Sequence, residues 1–166
     1  MERLILLRHA KAVPESDAPE DRARVLSPRG RADAIDAGAA LAEQGMRPDK
    51  AIVSTAARTN ETWEIVGPML GNPPVEFRDA LYMADADTIW AEAVRGKADK
   101  VLIVGHNPGL YDLAAQLIEQ ARDRSKLARM ISDGMSPASW AAFSTSGDAL
   151  KAAGASVIGG WSPKSS

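Results

Sequence analysis

Val101-Leu102-Ile103-Val104 is an unbroken apolar run, entered from Lys100 and left through Gly105. A run this short, rich in branched side chains, reads as a strand buried on both faces. Leu4–Leu7 and Ala51-Ile52-Val53 read the same way, and Val75–Phe77 is a further short strand. Helical signals lie between these runs. Ser27-Pro28 pairs an N-cap with a proline at the first helical position. Ala32, Ile35, Ala39, Ala42 and Met46 then recur three and four apart, which predicts a helix burying that stripe and ending near Gly45. A second helix is expected from about Arg58 to Leu70, with Trp63, Val66 and Leu70 on one face, broken by Gly71-Asn72-Pro73-Pro74. Asp87 caps a third, carrying Ile89, Trp90, Ala93 and Val94 and ending near Gly96. Asn107-Pro108 opens a fourth, in which Leu110, Leu113, Ala114, Leu117 and Ile118 follow an i, i+3, i+4, i+7, i+8 pattern.

The remaining stretches are less regular. Residues 11–26 are polar, with prolines and acids, and read as a loop. Residues 122–138 are charged and then turn-rich, and read as a lid or connection. Trp140–Phe143 and Ser156–Ile158 suit late strands, and the tail after Trp161 is expected to fray. Strands alternating with helices predict an α/β chain: a three-layer α/β/α sandwich around a mostly parallel sheet. A length of 166 residues fits a single domain over 1–166.

Composition removes several classes of function. Twenty basic against 22 acidic residues give a net charge of −2, which argues against nucleic acid or an anionic membrane as the default partner. No segment approaches the ~20 apolar residues of a membrane span, and Leu4–Leu7 is too short for a signal-peptide core. The chain has no cysteine, so disulfides, thiolate metal sites and a cysteine nucleophile are excluded. A reducing cytoplasm fits this. The two histidines, His9 and His106, cannot form a three-imidazole site within one chain.

Three strands end in polar residues of one kind. The first ends in Arg8-His9, the second in Ser54 with Arg58 a turn later, and the fourth in Gly105-His106-Asn107. Open α/β sheets bind ligands beyond the carboxyl ends of their strands. Both histidines and two arginines are therefore expected at one edge. Arg8 and Arg58 offer planar donor forks suited to phosphate oxygens. Helices starting near Arg58 and Asn107 would add free N–H groups and positive dipole ends. An uncharged imidazole at His9 can attack phosphorus. A protonated His106 can donate to a phosphoryl oxygen, although two arginines nearby oppose that protonation. Against this stand plainer readings: a structural histidine, a surface arginine, a helix-capping Ser54.

Leu7-Arg8-His9-Ala10 resembles the Arg-His-Gly signature of the histidine phosphatase superfamily, also called phosphoglycerate-mutase-like. Ser54-Thr-Ala-Ala-Arg58-Thr-Asn-Glu-Thr62 is similar to its second motif, Val104-Gly105-His106-Asn107-Pro108-Gly109 to its third, and Leu26-Ser27-Pro28-Arg29-Gly30 to the opening of its first long helix. The short chain, Arg-His-Ala-Lys and Gly-His-Asn-Pro-Gly look most like the SixA-type phosphohistidine phosphatase branch. The resemblance implies His9 as phosphoryl acceptor and Arg8, Arg58 and His106 as the phosphate pocket, with Ser54 and Asn107 beside them. It implies no metal and no cofactor. Two departures stand out. Ala10 replaces a common glycine, which disfavours a positive φ there. No obvious insertion supplies the Glu or Asp proton donor of larger members. Asp79, Asp85 and Asp87 are the nearest carboxylates in mid-chain and read as caps or solvated charges. Asp85-Ala86-Asp87 has a faint likeness to the Asp-x-Asp motif of haloacid-dehalogenase phosphatases, but that motif needs a preceding buried strand and Thr or Val where Ile89 stands.

The expected function is a metal-independent phosphatase acting on protein phosphohistidine. The alternatives are a phosphomonoesterase for a small metabolite or phosphoserine/threonine protein, and a non-catalytic phosphate-binding module. A mutase needs a closed lid, for which the chain has little sequence. Lys11, Lys126 and Arg129 could steer a phosphoprotein, but read first as a solvated charge face.

Overall fold

A computed structural model describes residues 1–164. Its elements run β1 (Arg3–Arg8), α1 (Pro28–Glu43), β2 (Lys50–Ser54), α2 (Ala57–Met69), β3 (Val75–Arg78), α3 (Ala86–Arg95), β4 (Lys100–Gly105), α4 (Gly109–Ala121), α5 (Lys126–Ser132), β5 (Trp140–Ser146) and β6 (Gly154–Trp161). The six strands form one sheet in the order β3-β2-β4-β1-β5-β6. The pairs β2–β3, β2–β4 and β1–β4 are parallel, while β5 and β6 join antiparallel. The fold is thus the α/β arrangement with a mostly parallel sheet that the apolar runs predict. No helix among the described residues is long and apolar enough to cross a membrane.

Period-two alternation divides the core in two. Leu4 and Leu6 of β1 join Val101 and Ile103 of β4 on one face, under α3, α4 and α5. Ile5 and Leu7 join Leu102 and Val104 on the other, under α1 and α2. All eight are fully buried, at about 1.5–3 kcal/mol for each large side chain. On α4, Leu110, Leu113, Ala114, Leu117 and Ile118 are buried as the pattern requires.

Helix α1 departs from its expected stripe. Ile35 is 53% exposed and Ala32 is exposed, while Gly30, Ala34, Ala37, Gly38 and Leu41 face the core. That row has helical spacing too, and its small side chains allow close approach. A Cβ on Gly30 would lie 2.0 Å from the Lys11 carbonyl oxygen. The loop leaving β1 therefore rests directly on α1, where Lys11 O also accepts from Ser27 N–H.

Smaller corrections are local. Asp85, not Asp87, caps α3 by accepting from Thr88 N–H. Residues 122–138 contain helix α5. The late strands are longer than Trp140–Phe143 and Ser156–Ile158. Residues 162–164 of the tail are held: Ser162 Oγ lies 3.1 Å from Ser136 Oγ, and Lys164 O accepts from Arg29. The rest of that tail, and its expected fraying, lies outside the described residues.

Candidate active site

Strand register builds the site. Arg8 pairs with Gly105 across β1–β4, so the next residues, His9 and His106, emerge side by side. Their ring centroids are 5.4 Å apart, close to the spacing of neighbouring strands. Val53 pairs with Val104, which brings Ser54 beside His106, with Oγ 2.8 Å from Nε2. Arg58 arrives from the first turn of α2. A cleft of about 570 Å³ opens here, lined by Arg8, His9, Arg58, His106 and Asn107. Ser54 sits behind His106 and is fully buried.

His9 is anchored at three points. Its N–H donates to Gly105 O (3.1 Å), its carbonyl accepts from Ala138 N–H (3.0 Å), and Nδ1 lies 2.7 Å from Ala10 O. A carbonyl accepts only, so Nδ1 carries the proton and Nε2 keeps its lone pair. Ala10 N–H donates to Thr62 Oγ1, whose hydroxyl donates to Arg58 O. Ala10 does not adopt a positive φ, so the turn has no need of the family's glycine.

Ser54 Oγ has no other partner among the described residues. We assign its hydroxyl as donor to His106 Nε2, which puts the proton on Nδ1. Of the five buried side-chain atoms without a hydrogen-bond partner among the described residues, three belong to the site: His106 Nδ1, Arg8 Nε and Arg58 Nε. Unpaired buried donors are costly in an empty pocket and suited to an incoming anion. Arg8 Nη1 and Asn107 Nδ2 both donate to Met135 O at 2.9 Å, while Asn107 Oδ1 accepts from Tyr111 N–H. Asn107 thus bridges the segment before β5 to the first turn of α4. On the rim, α4 packs so close to the loop before α3 that a Cβ on Gly109 would lie 1.9 Å from Ala84 O.

Burial depresses both histidines. His9 falls from 6.5 to about 3, chiefly by desolvation and secondarily by His106, Arg58 and Arg8. His106 falls to about 4, by desolvation and then by Arg58. Both are neutral in the native protein at pH 5–7, whereas unfolded histidine takes up a proton near 6.5. Below 6.5 the unfolded chain binds more protons than the native one, so stability present above 6.5 is lost as pH falls toward 4. Unfolding free energies measured by denaturant titration from pH 7 to 5 are expected to fall, by up to about 1.4 kcal/mol per pH unit for each histidine. A His9→Ala variant should show a shallower slope; an unchanged slope would contradict neutral burial.

Two groups at the site escape sequence reading. Asp21, in a short 3₁₀ turn (Asp21–Ala23), accepts from Arg58 Nη1 through its carbonyl (2.9 Å) and from Arg58 Nη2 through Oδ2 (3.0 Å). Tyr82 donates its hydroxyl to the same Oδ2 and stands edge-on to the His106 ring at 5.4 Å. A usable signal existed: the loop after a parallel strand lies over the sheet's carboxyl edge, so every acid in residues 11–26 was a candidate. The three mid-chain aspartates lie elsewhere. Asp79 accepts from Thr55 and Arg22, Asp85 caps α3, and Asp87 is exposed. Among the described residues no group of three or more His, Asp or Glu could hold a metal ion.

A mostly parallel sheet whose carboxyl edge gathers two arginines and two neutral imidazoles is the arrangement of an anion-handling enzyme, here a phosphatase. The chain belongs to the histidine phosphatase superfamily (branch 1), whose family model matches residues 4–85. That match holds Arg8, His9, Ser54 and Arg58; His106 lies beyond it. A structure from Nakamurella multipartitia, assigned as phosphohistidine phosphatase SixA, is 32% identical and covers 99% of this chain and 97% of that one, with a TM-score of 0.84. Another with that assignment, from Agrobacterium tumefaciens, is 25% identical, covers 98% of each chain and has a TM-score of 0.83. A Mycobacterium leprae protein is 34% identical over 116 residues, 67% of this chain and 70% of its own length. The chain is a SixA-type member of the superfamily.

Proposed function

We propose that the protein removes phosphoryl groups from protein phosphohistidine through a phospho-His9 intermediate, without a metal ion. The observation that carries this is the bond from His9 Nδ1–H to Ala10 O, which leaves the Nε2 lone pair facing a pocket with unpaired N–H donors. The Nε2 pair forms a bond to phosphorus while the substrate's P–N bond breaks, and that electron pair leaves on the departing imidazole. The imidazole leaves neutral when its other nitrogen carries a proton. Arg8, Arg58 and His106 Nδ1–H hold the non-bridging oxygens and stabilise their charge in transit. Water then attacks phosphorus, the P–Nε2 electrons return to His9, the water proton passes to solvent, and phosphate is released. Ser54 keeps the proton of His106 on Nδ1, and Asn107 shapes the wall.

Substrate preference follows from the missing acid. An alkyl ester expels an alkoxide and normally needs a placed proton donor, whereas a protonated phosphoimidazole does not. Asp21 lines the cleft but is no donor: the Tyr82 hydroxyl, then Arg24 and Arg58, hold its carboxyl well below the usual carboxylate range. The ester-hydrolysing alternative has one observation in its favour, since Glu15 also lines the cleft and is exposed.

The test compares phosphohistidine peptide, phosphoserine peptide and small phosphate esters, with and without chelator. Phosphohistidine should show the highest kcat/KM, and chelator should change nothing. Asp79→Asn, Asp85→Asn and Asp87→Asn should each keep phosphohistidine turnover within about tenfold, roughly 1.4 kcal/mol. Faster turnover of an alkyl ester, abolished by Glu15→Gln, would put the phosphomonoesterase first.

A further inference from the structure

Arg58 is 3% exposed, yet its end-on face is already occupied by an anion that belongs to the chain. Nη1 donates to the Asp21 carbonyl and Nη2 to its carboxylate, which leaves the Nε edge without a partner. The carboxylate is itself tightly held. Oδ2 also accepts from Tyr82, and Oδ1 accepts from Arg24 Nη1 at 3.0 Å. Next to it, Arg22 stacks on Tyr82 with its guanidinium carbon 4.2 Å from the ring centroid, and pairs with Asp79 at 3.3 Å. An isolated bridge between Ala12 and Leu26 closes the base of this loop. The loop after β1 is thus pinned to the segment before α3, and Asp21 is the pin that reaches the arginine.

We propose that Asp21 is a positioning residue with a second effect: it aims the Nε edge of Arg58 at the phosphoryl site, and its fixed negative charge weakens the hold on product phosphate. This rests on the reading of Arg58 as part of the phosphate clamp. The two effects have one origin. A guanidinium gripped end-on by a carbonyl and a carboxylate can present only its side edge to a ligand. The same carboxylate offsets part of a pocket charge that otherwise comes from the half-buried Arg8 and the buried Arg58, and it repels a second anion bound against Arg58. A pocket holding Arg8 and Arg58 without a counter-charge would bind free phosphate strongly, and turnover would be limited by its release.

A merely structural role and this role predict opposite signs. If Asp21 only stabilised the loop, Asp21→Asn would weaken phosphate binding and activity together. The proposal expects the reverse for binding: inorganic phosphate should bind Asp21→Asn about threefold or more tightly than wild type, through loss of like-charge repulsion. Phosphohistidine kcat should fall while KM falls or holds. Tyr82→Phe leaves the carboxylate charge in place, so its phosphate Kd should stay within about twofold of wild type. Titration calorimetry with inorganic phosphate measures all three proteins. Equal or weaker binding to Asp21→Asn overturns the proposal, as does tightening of equal size in Tyr82→Phe. If wild type binds phosphate and Arg58→Ala does not weaken it, the clamp reading itself fails, and this inference with it. If Asp21→Asn does not fold, Asp21→Glu replaces it: the charge stays and the aim shifts, so kcat should fall with phosphate Kd within about twofold; a tightened Kd there overturns the proposal.

Discussion

His9→Ala is expected to lose at least about 10³-fold in phosphohistidine turnover, some 4 kcal/mol of barrier. The reason lies in the second imidazole. The His106 ring centroid is 5.4 Å away, yet in the assigned tautomer its Nε2 lone pair accepts from the Ser54 hydroxyl and its Nδ1 carries a proton, so it presents no lone pair to phosphorus. Nothing else lining the cleft is a comparable acceptor. Wild type exposed briefly to phosphohistidine peptide and quenched in denaturant should carry an acid-labile, base-stable phosphoryl group on its N-terminal peptide. The alanine variant should carry none, while keeping its circular dichroism spectrum and its affinity for inorganic phosphate. A label on an aspartate, or surviving activity in the variant, would remove the mechanism.

Arg58→Lys is expected to cost about 2–4 kcal/mol of transition-state stabilisation, a fall of roughly 30- to 1000-fold in kcat/KM. A lysine keeps the charge and loses the fork. Its three donors radiate from one tetrahedral nitrogen, so it cannot reproduce both the planar end-on grip on the Asp21 carbonyl and carboxylate and a separate side edge for the phosphoryl oxygens. Arg8→Lys should behave similarly, because Arg8 divides its guanidinium between Met135 O and the unpaired Nε. Steady-state kinetics on phosphohistidine peptide check both. Near-normal kcat/KM in both variants would make the arginines structural charges and move the pocket elsewhere.

What could be read from the sequence was what is decided locally. Leu4–Leu7 and Val101–Val104 announce themselves because a strand covered on both faces must be apolar throughout, and α4 because its stripe is unbroken. Gathering His9, Arg58 and His106 needed only the rule that such sheets act at their carboxyl edge. Packing choices were hidden. On α1 the eye goes to Ile35, but close contact with the Lys11 backbone selects the row containing Gly30, and nothing local ranks the two rows. Asp21 and Tyr82 were hidden for another reason. They are 61 residues apart, and each is an ordinary loop residue until the fold brings it to Arg58. The Met135 carbonyl that holds Arg8 and Asn107 is backbone, and no side-chain identity encodes it.

The three-point anchoring of His9 has a thermodynamic consequence. Its N–H is tied to β4, its carbonyl to Ala138, and its ring to the next residue's backbone. A side chain free to rotate would have to be ordered anew each time a substrate arrived, and that loss of entropy would enter every barrier. Here the ordering happens once, when the chain folds. Each substrate then meets a nucleophile already oriented, and the freedom left to be lost belongs to the substrate.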